Sequence, residues 1–393
     1  RRRVQDRGGL VEGDELYPEV STTYEYLAWL NQQNRAHHEA IRRVEAEQRR
    51  LMELQNLFIH IGKKWSSMAL VQLSRELRIL ANTLIKHGED RRKTQALTLN
   101  LLRPLIHKVI PGASVKVYGS FATGLNIPSS DLDLVVGVQG GPISSPNFYL
   151  QTISKALHNE PWISNLKYLP HASMPLIKAV ATPSPASSSI QIDLSFQTSN
   201  HRGLTVVSLM KTLAISHPEL IPLGLVLKYY LAKQGQGMND PFQGGLTSYG
   251  LILMLVATLK LLKELRRQFG YAFLSPSAPD IANATNLMGI NKNSEAMDLG
   301  KALIVFLEVY STIFSPSEDI VEACPPSTSS PSPSPLWMSY IRRGAKRESV
   351  FESDGVAIVD PTDSTHNIAR SAYNFPLVHS SFKSALQRLE KAA

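Results

Sequence analysis

Three aspartates in segments of alternating polarity are the residues best placed to do chemistry. Asp131 and Asp133 stand two positions apart in "DLDLVV", and Asp193 holds a similar position in "IQIDLSF". The two-residue period of a β-strand sends Asp131 and Asp133 to one face and the leucines beside them to the other. If the two strands pair, the three carboxylates can converge on one spot. An oxygen-only set of this kind suits Mg²⁺ or Mn²⁺ rather than zinc.

An isolated Asp-Leu-Asp pair has a simpler interpretation, which is a solvated strand face. Asp193 favours a metal site over that alternative, because several like charges on one surface need a cation between them. Two such ions would clamp the attacking and leaving oxygens of an in-line phosphoryl displacement. We therefore predict that Asp131, Asp133 and Asp193 are both metal ligands and catalytic residues.

A short turn before the first two aspartates is suited to phosphate. In "YGSFATGLN", Gly119 allows a ligand to approach the backbone closely, and Ser120 is predicted to cap the helix "FATGL". A helix N-terminus offers backbone N–H groups and a positive dipole end to an anion. Phosphate and metal are therefore predicted to meet at one place.

The elements around these residues indicate an α+β fold with two main parts. Four segments between Val115 and Phe196 are predicted strands of a mixed sheet, and a helix, "SSPNFYLQTISKALH", follows the second. The strand segments are "VKVYG", "LDLVVGV", "MPLIKAVAT" and "SSIQIDLSF". After Thr205 the pattern is helical in "VVSLMKTLAIS", "PLGLVLKYYLAKQ", "TSYGLILMLVATLKLLKELRRQF" and "MDLGKALIVFLEVYSTIF".

The N-terminal third is predicted to be helical. A long amphipathic helix runs from Thr23 to about Ile59, a second from Ser66 to His87, and a third over "GEDRRKTQALTLNLLRPLI". The predicted organisation is an N-terminal helical extension (1–65), a helix that joins the central domain (66–96), a catalytic domain (97–204) and a helical central domain (205–393). A Pro/Ser-rich insert in the last of these, 325–335, is predicted to be disordered.

Composition limits the classes of function. The 393 residues carry a formal charge of +8, with a pI near 9.4, which indicates a polyanionic partner such as nucleic acid, although solubility alone can also leave a protein basic. A single cysteine, Cys324, excludes a disulfide framework and a multi-cysteine zinc site. No run approaches the ~18 apolar residues of a membrane span, so we expect no membrane role.

At this point the motifs resemble a known family. Gly119-Ser120, with Asp131 eleven positions after Ser120, then Asp133 and Asp193, is similar to the DNA polymerase β nucleotidyltransferase superfamily. The helical segments and "VAIVDPTDSTHNIARSAYNF" resemble the central domain of template-independent poly(A) and poly(U) RNA polymerases. The resemblance implies a polymerase β-like catalytic domain with a mixed sheet, beside a mostly helical domain associated with poly(A) polymerases.

The resemblance also implies residue roles. Asp131 and Asp133 would hold both metals, and Asp193 would hold the catalytic one while helping to deprotonate the RNA 3′-hydroxyl. Further positions would bind the nucleotide, with Tyr249 stacking on the base: Gly119, Ser120, Lys228, Ser248, Tyr249, Asp360, His366, Asn367 and Arg370. Without the resemblance, Lys228 would be interpreted as a lysine that reaches solvent and Tyr249 as ordinary core.

The resemblance does not assign the base, because different motifs match different branches of the family. "GGLTSYGLILM" and "DLSF" are closest to the poly(A) branch, which implies addition of AMP from ATP in RNA surveillance or turnover. His366, six residues after Asp360, stands where uridylyl-adding members carry a histidine, and Thr362 replaces a common aromatic. A histidine there could crowd a purine and bond a pyrimidine edge. The alternative is therefore a terminal uridylyltransferase that uses UTP.

The implied partners are an RNA 3′ end and ATP or UTP. No RNA-binding module is visible, so RNA would be held by surface charge, for which Arg342, Arg343, Lys346 and Arg347 are candidates, or by a helicase or RNA-binding protein recruited through the N-terminal helix. A solvated basic loop is an equal alternative for those four residues.

Two other functions compete with RNA tailing: a catalytically inactive scaffold that binds RNA or protein, and transfer to a small molecule. The presence of all three aspartates argues against the scaffold. The central-domain motifs and the basic pI argue against the small molecule. We expect a nuclear or cytoplasmic location and leave a mitochondrial one open.

Overall fold

The computed structural model describes residues 23–138, 140, 146–172, 174–269, 298–323, 341–343 and 355–393. The predicted disordered insert, 325–335, lies outside these residues, as do Cys324, Lys346 and Arg347. A boundary between Leu57 and Phe58 divides the chain into two compact units, residues 1–57 and 58–393. The mixed sheet and the helical part that follows it both belong to the second unit, so the predicted division at residue 204 falls within it.

Two long helices begin the described chain. α1 covers Thr23–Lys64 and α2 covers Ser67–Val109, and Ser66 caps α2 by accepting a bond from the Ala69 N–H at 3.1 Å. The prediction of two separate helices after residue 65 is wrong, because Gly88 does not interrupt α2. Gly88 is buried, and an added Cβ would lie 3.4 Å from the Asn126 carbonyl oxygen. Gly88 therefore packs inside the helix against the loop that carries Asn126.

The mixed sheet has five strands in the order β1-β2-β5-β4-β3. Its strands are β1 (Ser114–Val117), β2 (Leu132–Gly137), β3 (Ile163–Leu169), β4 (Leu176–Ala181) and β5 (Ile190–Phe196). β2 and β5 pair in parallel, and every other neighbouring pair is antiparallel. The short helix α3 (Gly119–Thr123) follows β1, and α4 (Asn147–His158) follows β2. α2 and α4 pack on the apolar face of the sheet and form its core.

β3 was not predicted. Its sequence, "ISNLKYL", lacks regular alternation, and its pairing with β4 shifts register between Ser164 and Lys167. Asn165 between them has a positive φ of 49°. This irregularity hides the strand from a period-two pattern.

The helical part contains all the predicted helices. They are α5 (Gly203–Ser216), α6 (Leu220–Gln234), α7 (Ser248–Phe269) and α8 (Leu299–Glu308). A 3₁₀ turn (Pro241–Gln243) lies between α6 and α7, and a π-helical turn (Val309–Ile313) follows α8. A fifth helix, α9 (Phe375–Ala392), was not predicted. α2 contacts α6 and α8 as well as the mixed sheet. One helix therefore supports both parts of the second unit.

A second sheet lies in the helical part and was not predicted. Its order is β7-β6-β8-β9, from strands β6 (Asp319–Val321), β7 (Ile341–Arg343), β8 (Ala357–Asp360) and β9 (Asp363–Asn367). Strands this short show too few alternations for a periodic signal. Among the described helices, none combines the length and apolarity that crossing a membrane requires. The predicted α+β class, with a mixed sheet, a mostly helical part and a long N-terminal helix, is confirmed.

Candidate active site

The three aspartates lie on, or immediately before, two adjacent strands. Asp133 on β2 and Asp193 on β5 are direct partners in the parallel register, and Asp131 immediately precedes β2. Leu132 and Leu134 are fully buried on the core side. The alternation therefore places the carboxylates on the face opposite the core, as predicted.

The carboxylates repel one another. The pKa of Asp133 is raised to about 7, mainly by burial and then by the neighbouring charges of Asp193 and Asp131. The pKa of Asp131 is also raised, first by burial and then by the charge of Asp193. A cation at this surface would relieve both effects.

Lys178 supplies one such cation and was missed from the sequence. It is the register partner of Asp193 on β4, and its Nζ lies 2.6 Å from Asp193 Oδ2. Within the described part of the chain, no three His, Cys, Asp or Glu side chains form a group that could hold a metal ion. The predicted convergence of three carboxylates on one ion is therefore not formed here, because Lys178 holds Asp193. The polar position of Lys178 between Ile177 and Ala179 was the available signal.

Gly119 fits directly against Asp133. Its φ is +66°, and an added Cβ would lie 1.8 Å from Asp133 Oδ2, so a larger residue would displace the carboxylate. The Tyr118 N–H also donates to the Asp133 carbonyl oxygen at 3.0 Å. The turn before α3 thus fixes the position of this aspartate.

The predicted cap at Ser120 is wrong. α3 begins at Gly119, its N-cap position is Tyr118 without a capping side chain, and Ser120 lies in the first turn. The helix starts earlier than predicted, at the glycine that lies against the Asp133 carboxylate, and its C-cap residue is Gly124, whose φ is +81°.

Lys228 enters the site from α6. Its Nζ donates to Ser130 Oγ at 3.1 Å and to the Leu125 carbonyl oxygen at 3.2 Å. Burial lowers the pKa of Lys228 to about 8, although the charges of Asp133 and Asp131 oppose this. The ammonium is buried in the loop before β2 and does not reach solvent.

α2 supports the same loop and was not predicted to do so. Arg91 donates through Nε and a terminal nitrogen to the Ser130 carbonyl oxygen, at 3.1 and 3.0 Å. Gln95 Nε2 donates to the Asp131 carbonyl oxygen at 3.1 Å and faces Asn126. No sequence signal identifies these residues, because they lie on a helix far from the aspartates along the chain.

A second group of predicted residues meets around Asp360, at the end of β8. Tyr249 OH donates to Asp360 Oδ1 at 3.3 Å, and His366 Nδ1 lies 3.3 Å from Asp360 Oδ2. Thr362 donates to Oδ1 from both its N–H, at 2.8 Å, and its hydroxyl, at 2.7 Å. Asp360 is buried, while the His366 side chain is 54% exposed. One carboxylate therefore orients an aromatic ring and an imidazole.

The other three residues that were predicted to bind the nucleotide form no bond to Asp360. Ser248 is half-buried at the start of α7, and Arg370 is exposed after β9. Asn367 is buried, with its Oδ1 accepting from the Ile358 and Ala369 N–H groups and its Nδ2 donating to the Val356 carbonyl. Its amide is engaged within the hairpin.

Comparison with known proteins agrees with the resemblance. Residues 73–214 match the family described as "Poly(A) RNA polymerase, mitochondrial-like, central palm domain". Poly(A) RNA polymerase gld-4 of Caenorhabditis elegans is 26% identical over 279 residues, which is 70% of this chain and 28% of that protein. Terminal uridylyltransferase cid1 of Schizosaccharomyces pombe is 26% identical over 330 residues, or 80% of this chain and 78% of that protein.

The solved structures agree on the fold. A crystal structure of the Cid1 poly(U) polymerase matches with a TM-score of 0.57 and 24% identity, over 80% of this chain and 92% of that one. A mutant of Cid1 with histidine replaced by asparagine, bound to MgATP, matches with a TM-score of 0.58 and 22% identity, over 81% of this chain and 94% of that one. The chain spans only 28% of gld-4 and 41% of Poly(A) RNA polymerase protein 1 of Saccharomyces cerevisiae.

The buried ammonium of Lys228 gives a prediction about stability. The folded pKa of about 8 lies below the ordinary 10.5, so between these values the unfolded chain holds a proton that the folded chain has lost. The free energy of unfolding should therefore increase as the pH rises through this window. The increase should be about 3 kcal/mol larger in wild type than in a Lys228→Met variant, which has no group that titrates there. Urea unfolding at pH 7.5 and pH 10.5 measures this difference. Lys233→Met, which removes an exposed lysine from the same helix, is the control and should change far less.

Proposed function

We propose that this chain, which carries the palm domain of the poly(A) RNA polymerase family and is related to the terminal uridylyltransferase cid1, adds nucleotides to RNA 3′ ends without a template. In this reaction the RNA 3′-oxygen attacks the α-phosphorus of a nucleoside triphosphate. The bond to the bridging oxygen breaks, and pyrophosphate leaves. The observation that carries the proposal is the register pairing of Asp133 with Asp193, beside a glycine fitted against Asp133.

The donor set fits a divalent cation. Asp131, Asp133 and Asp193 offer only oxygen, and the pKa values of the first two are raised by burial and by neighbouring carboxylates. These three residues would hold Mg²⁺ or Mn²⁺ once the Lys178 ammonium, which lies 2.6 Å from Asp193 Oδ2, moves away from that carboxylate. When bound, the metal would neutralise the carboxylates and the phosphates and stabilise the charge that develops on the oxygens.

The protein's own groups would position the substrates. The backbone at Gly119 and Ser120, at the start of α3, would bind the triphosphate. The Lys228 ammonium, which is bonded to the loop before β2, would add positive charge next to this site. Asp193 lies on the neighbouring strand, where it would accept the proton of the RNA 3′-hydroxyl. Phosphoryl transfer needs mainly this positioning and charge stabilisation.

ATP is the proposed nucleotide. The family whose palm domain matches residues 73–214 is named for poly(A) RNA polymerases, and several of the relatives carry the same name. Both observations support addition of AMP. UTP is the second candidate, because His366 is held beside Asp360 and Tyr249 with its ring accessible. An imidazole in that position can bond the edge of a pyrimidine and crowd a purine.

The first test is extension of a labelled oligo(A) RNA with Mg²⁺ or Mn²⁺ and each nucleoside triphosphate separately. We expect extension with ATP or UTP, and a loss of about two orders of magnitude or more in Asp131→Ala. Asp90→Ala, at an exposed aspartate of α2, is the matched control and should retain activity. Absence of extension with every nucleotide, or full activity in Asp131→Ala, would disprove the enzymatic function.

The contact between Gly119 and Asp133 predicts a selective loss of activity. Gly119→Ala should lower extension about 100-fold, because the new Cβ must displace the Asp133 carboxylate by an ångström or more. Gly124→Ala is the control, since its φ is +81° and its Cβ would meet nothing nearer than Ile221 Cδ1 at 3.9 Å. Both variants carry the backbone strain of a positive φ, which costs about 1–2 kcal/mol. If the two variants lose activity equally, strain and not the carboxylate contact is responsible.

His366 gives a prediction about base choice. His366→Asn should shift the ratio of ATP to UTP incorporation toward ATP by about tenfold, the value of one hydrogen bond of roughly 1.4 kcal/mol. Competition between the two labelled nucleotides measures the ratio directly. Ser364→Ala, an exposed position on the same strand, should leave it unchanged. An unaltered ratio in His366→Asn would remove histidine as the selector.

A further inference from the structure

An exposed phenylalanine lies beside the third aspartate. Phe242 is 74% exposed on the 3₁₀ turn between α6 and α7. The Nζ of Lys178 lies 4.9 Å from the centre of the Phe242 ring and 2.6 Å from Asp193 Oδ2. One ammonium group thus contacts both the ring and the carboxylate, so the ring lies within the candidate site.

The turn that carries Phe242 is held from both sides. The Phe242 N–H donates to Asp240 Oδ1, and Gln243 Nε2 donates to Asp240 Oδ2, each at 2.9 Å. Asn374, just before α9, donates through Nδ2 to the Gln243 carbonyl oxygen at 2.6 Å. The ring is therefore presented to solvent by a backbone that is already fixed, which lowers the cost of binding a ligand.

A second aromatic ring lies next to this turn. Tyr373 is 67% exposed, and its ring packs against Gly244, where an added Cβ would lie 2.4 Å from Tyr373 Cε2. Single exposed apolar side chains are common on protein surfaces and carry no meaning alone. Phe242 differs from that background because its turn is fixed, an ammonium group lies near its ring, and Asp193 is adjacent.

We propose that Phe242 stacks on the base of the 3′-terminal nucleotide of the RNA acceptor and so places its 3′-hydroxyl at Asp193. This inference rests on the proposed function. A polymerase without a template must accept whichever base ends the chain, and an aromatic ring serves this purpose because every base has a π-face. The bound nucleotide would take the place of the Lys178 ammonium, whose long side chain can turn aside.

The test separates binding of the last base from binding of the rest of the RNA. Two fluorescent oligonucleotides are compared, one complete and one identical except that its 3′-terminal nucleotide lacks a base. Wild type should bind the complete RNA about tenfold more tightly, as stacking of one base implies. Phe242→Leu should bind both equally, and Phe242→Tyr should restore the preference. Fluorescence anisotropy without any nucleoside triphosphate measures the six affinities, of three proteins for two oligonucleotides.

The same variants are then measured in extension. Phe242→Leu should raise KM for the RNA about tenfold and leave KM for the nucleotide unchanged. Phe148→Leu is the matched control, since Phe148 is 71% exposed on α4, which packs on the opposite face of the sheet. Thermal unfolding establishes that each variant is folded.

The outcomes distinguish the two proposals. If wild type extends no RNA with any nucleotide, the proposed function fails. If wild type extends RNA but Phe242→Leu keeps the preference for a terminal base, this inference alone is overturned. An equal rise of KM in Phe148→Leu would also overturn it, because the effect would then not depend on the site.

Discussion

The parallel pairing of β2 with β5 is the constraint on which the rest of the site depends. It sets Asp133 directly opposite Asp193, and the leucines beside Asp133 lie in the core of the sheet. A shift of either strand by one residue would bury its carboxylate and expose the apolar side chains beside it. The same apolar packing that stabilises the sheet therefore holds two like charges together. Gly119 completes the arrangement by closing the turn against Asp133.

The charge gathered in this way is balanced from three directions. Lys178 lies on the adjacent strand, Arg91 supports the loop before β2 from α2, and Lys228 reaches that loop from the helical part. Burial lowers the pKa of Lys228, so its ammonium is retained at an energetic cost. Since α2 and α6 also pack together, the position of the aspartates depends on the helical part as well as on the sheet.

Regular alternation made the aspartates predictable, whereas contacts between distant segments were not. The alternation in "DLDLVV" and "IQIDLSF" predicts both a β-strand and the face on which each side chain lies, so the local sequence was sufficient to predict the position of the aspartates. Arg91 acts through bonds to backbone carbonyls, which leave no pattern. The cap assigned to Ser120 failed because a tertiary contact of Gly119 sets the start of α3. Gly88 likewise lies within a continuous helix, although its sequence position suggested an interruption.

Asp360 shows how two distant motifs act as one. The carboxylate accepts from Tyr249 on α7, and His366 lies beside it on β9, so a single buried charge sets the relative position of both rings. Two bonds from Thr362 fix that carboxylate, which leaves little freedom for either ring. In the proposed function, preference for one base over another would therefore depend on the β8–β9 hairpin and α7 together. A change at any member would move the others, because bonded networks of this kind are not additive.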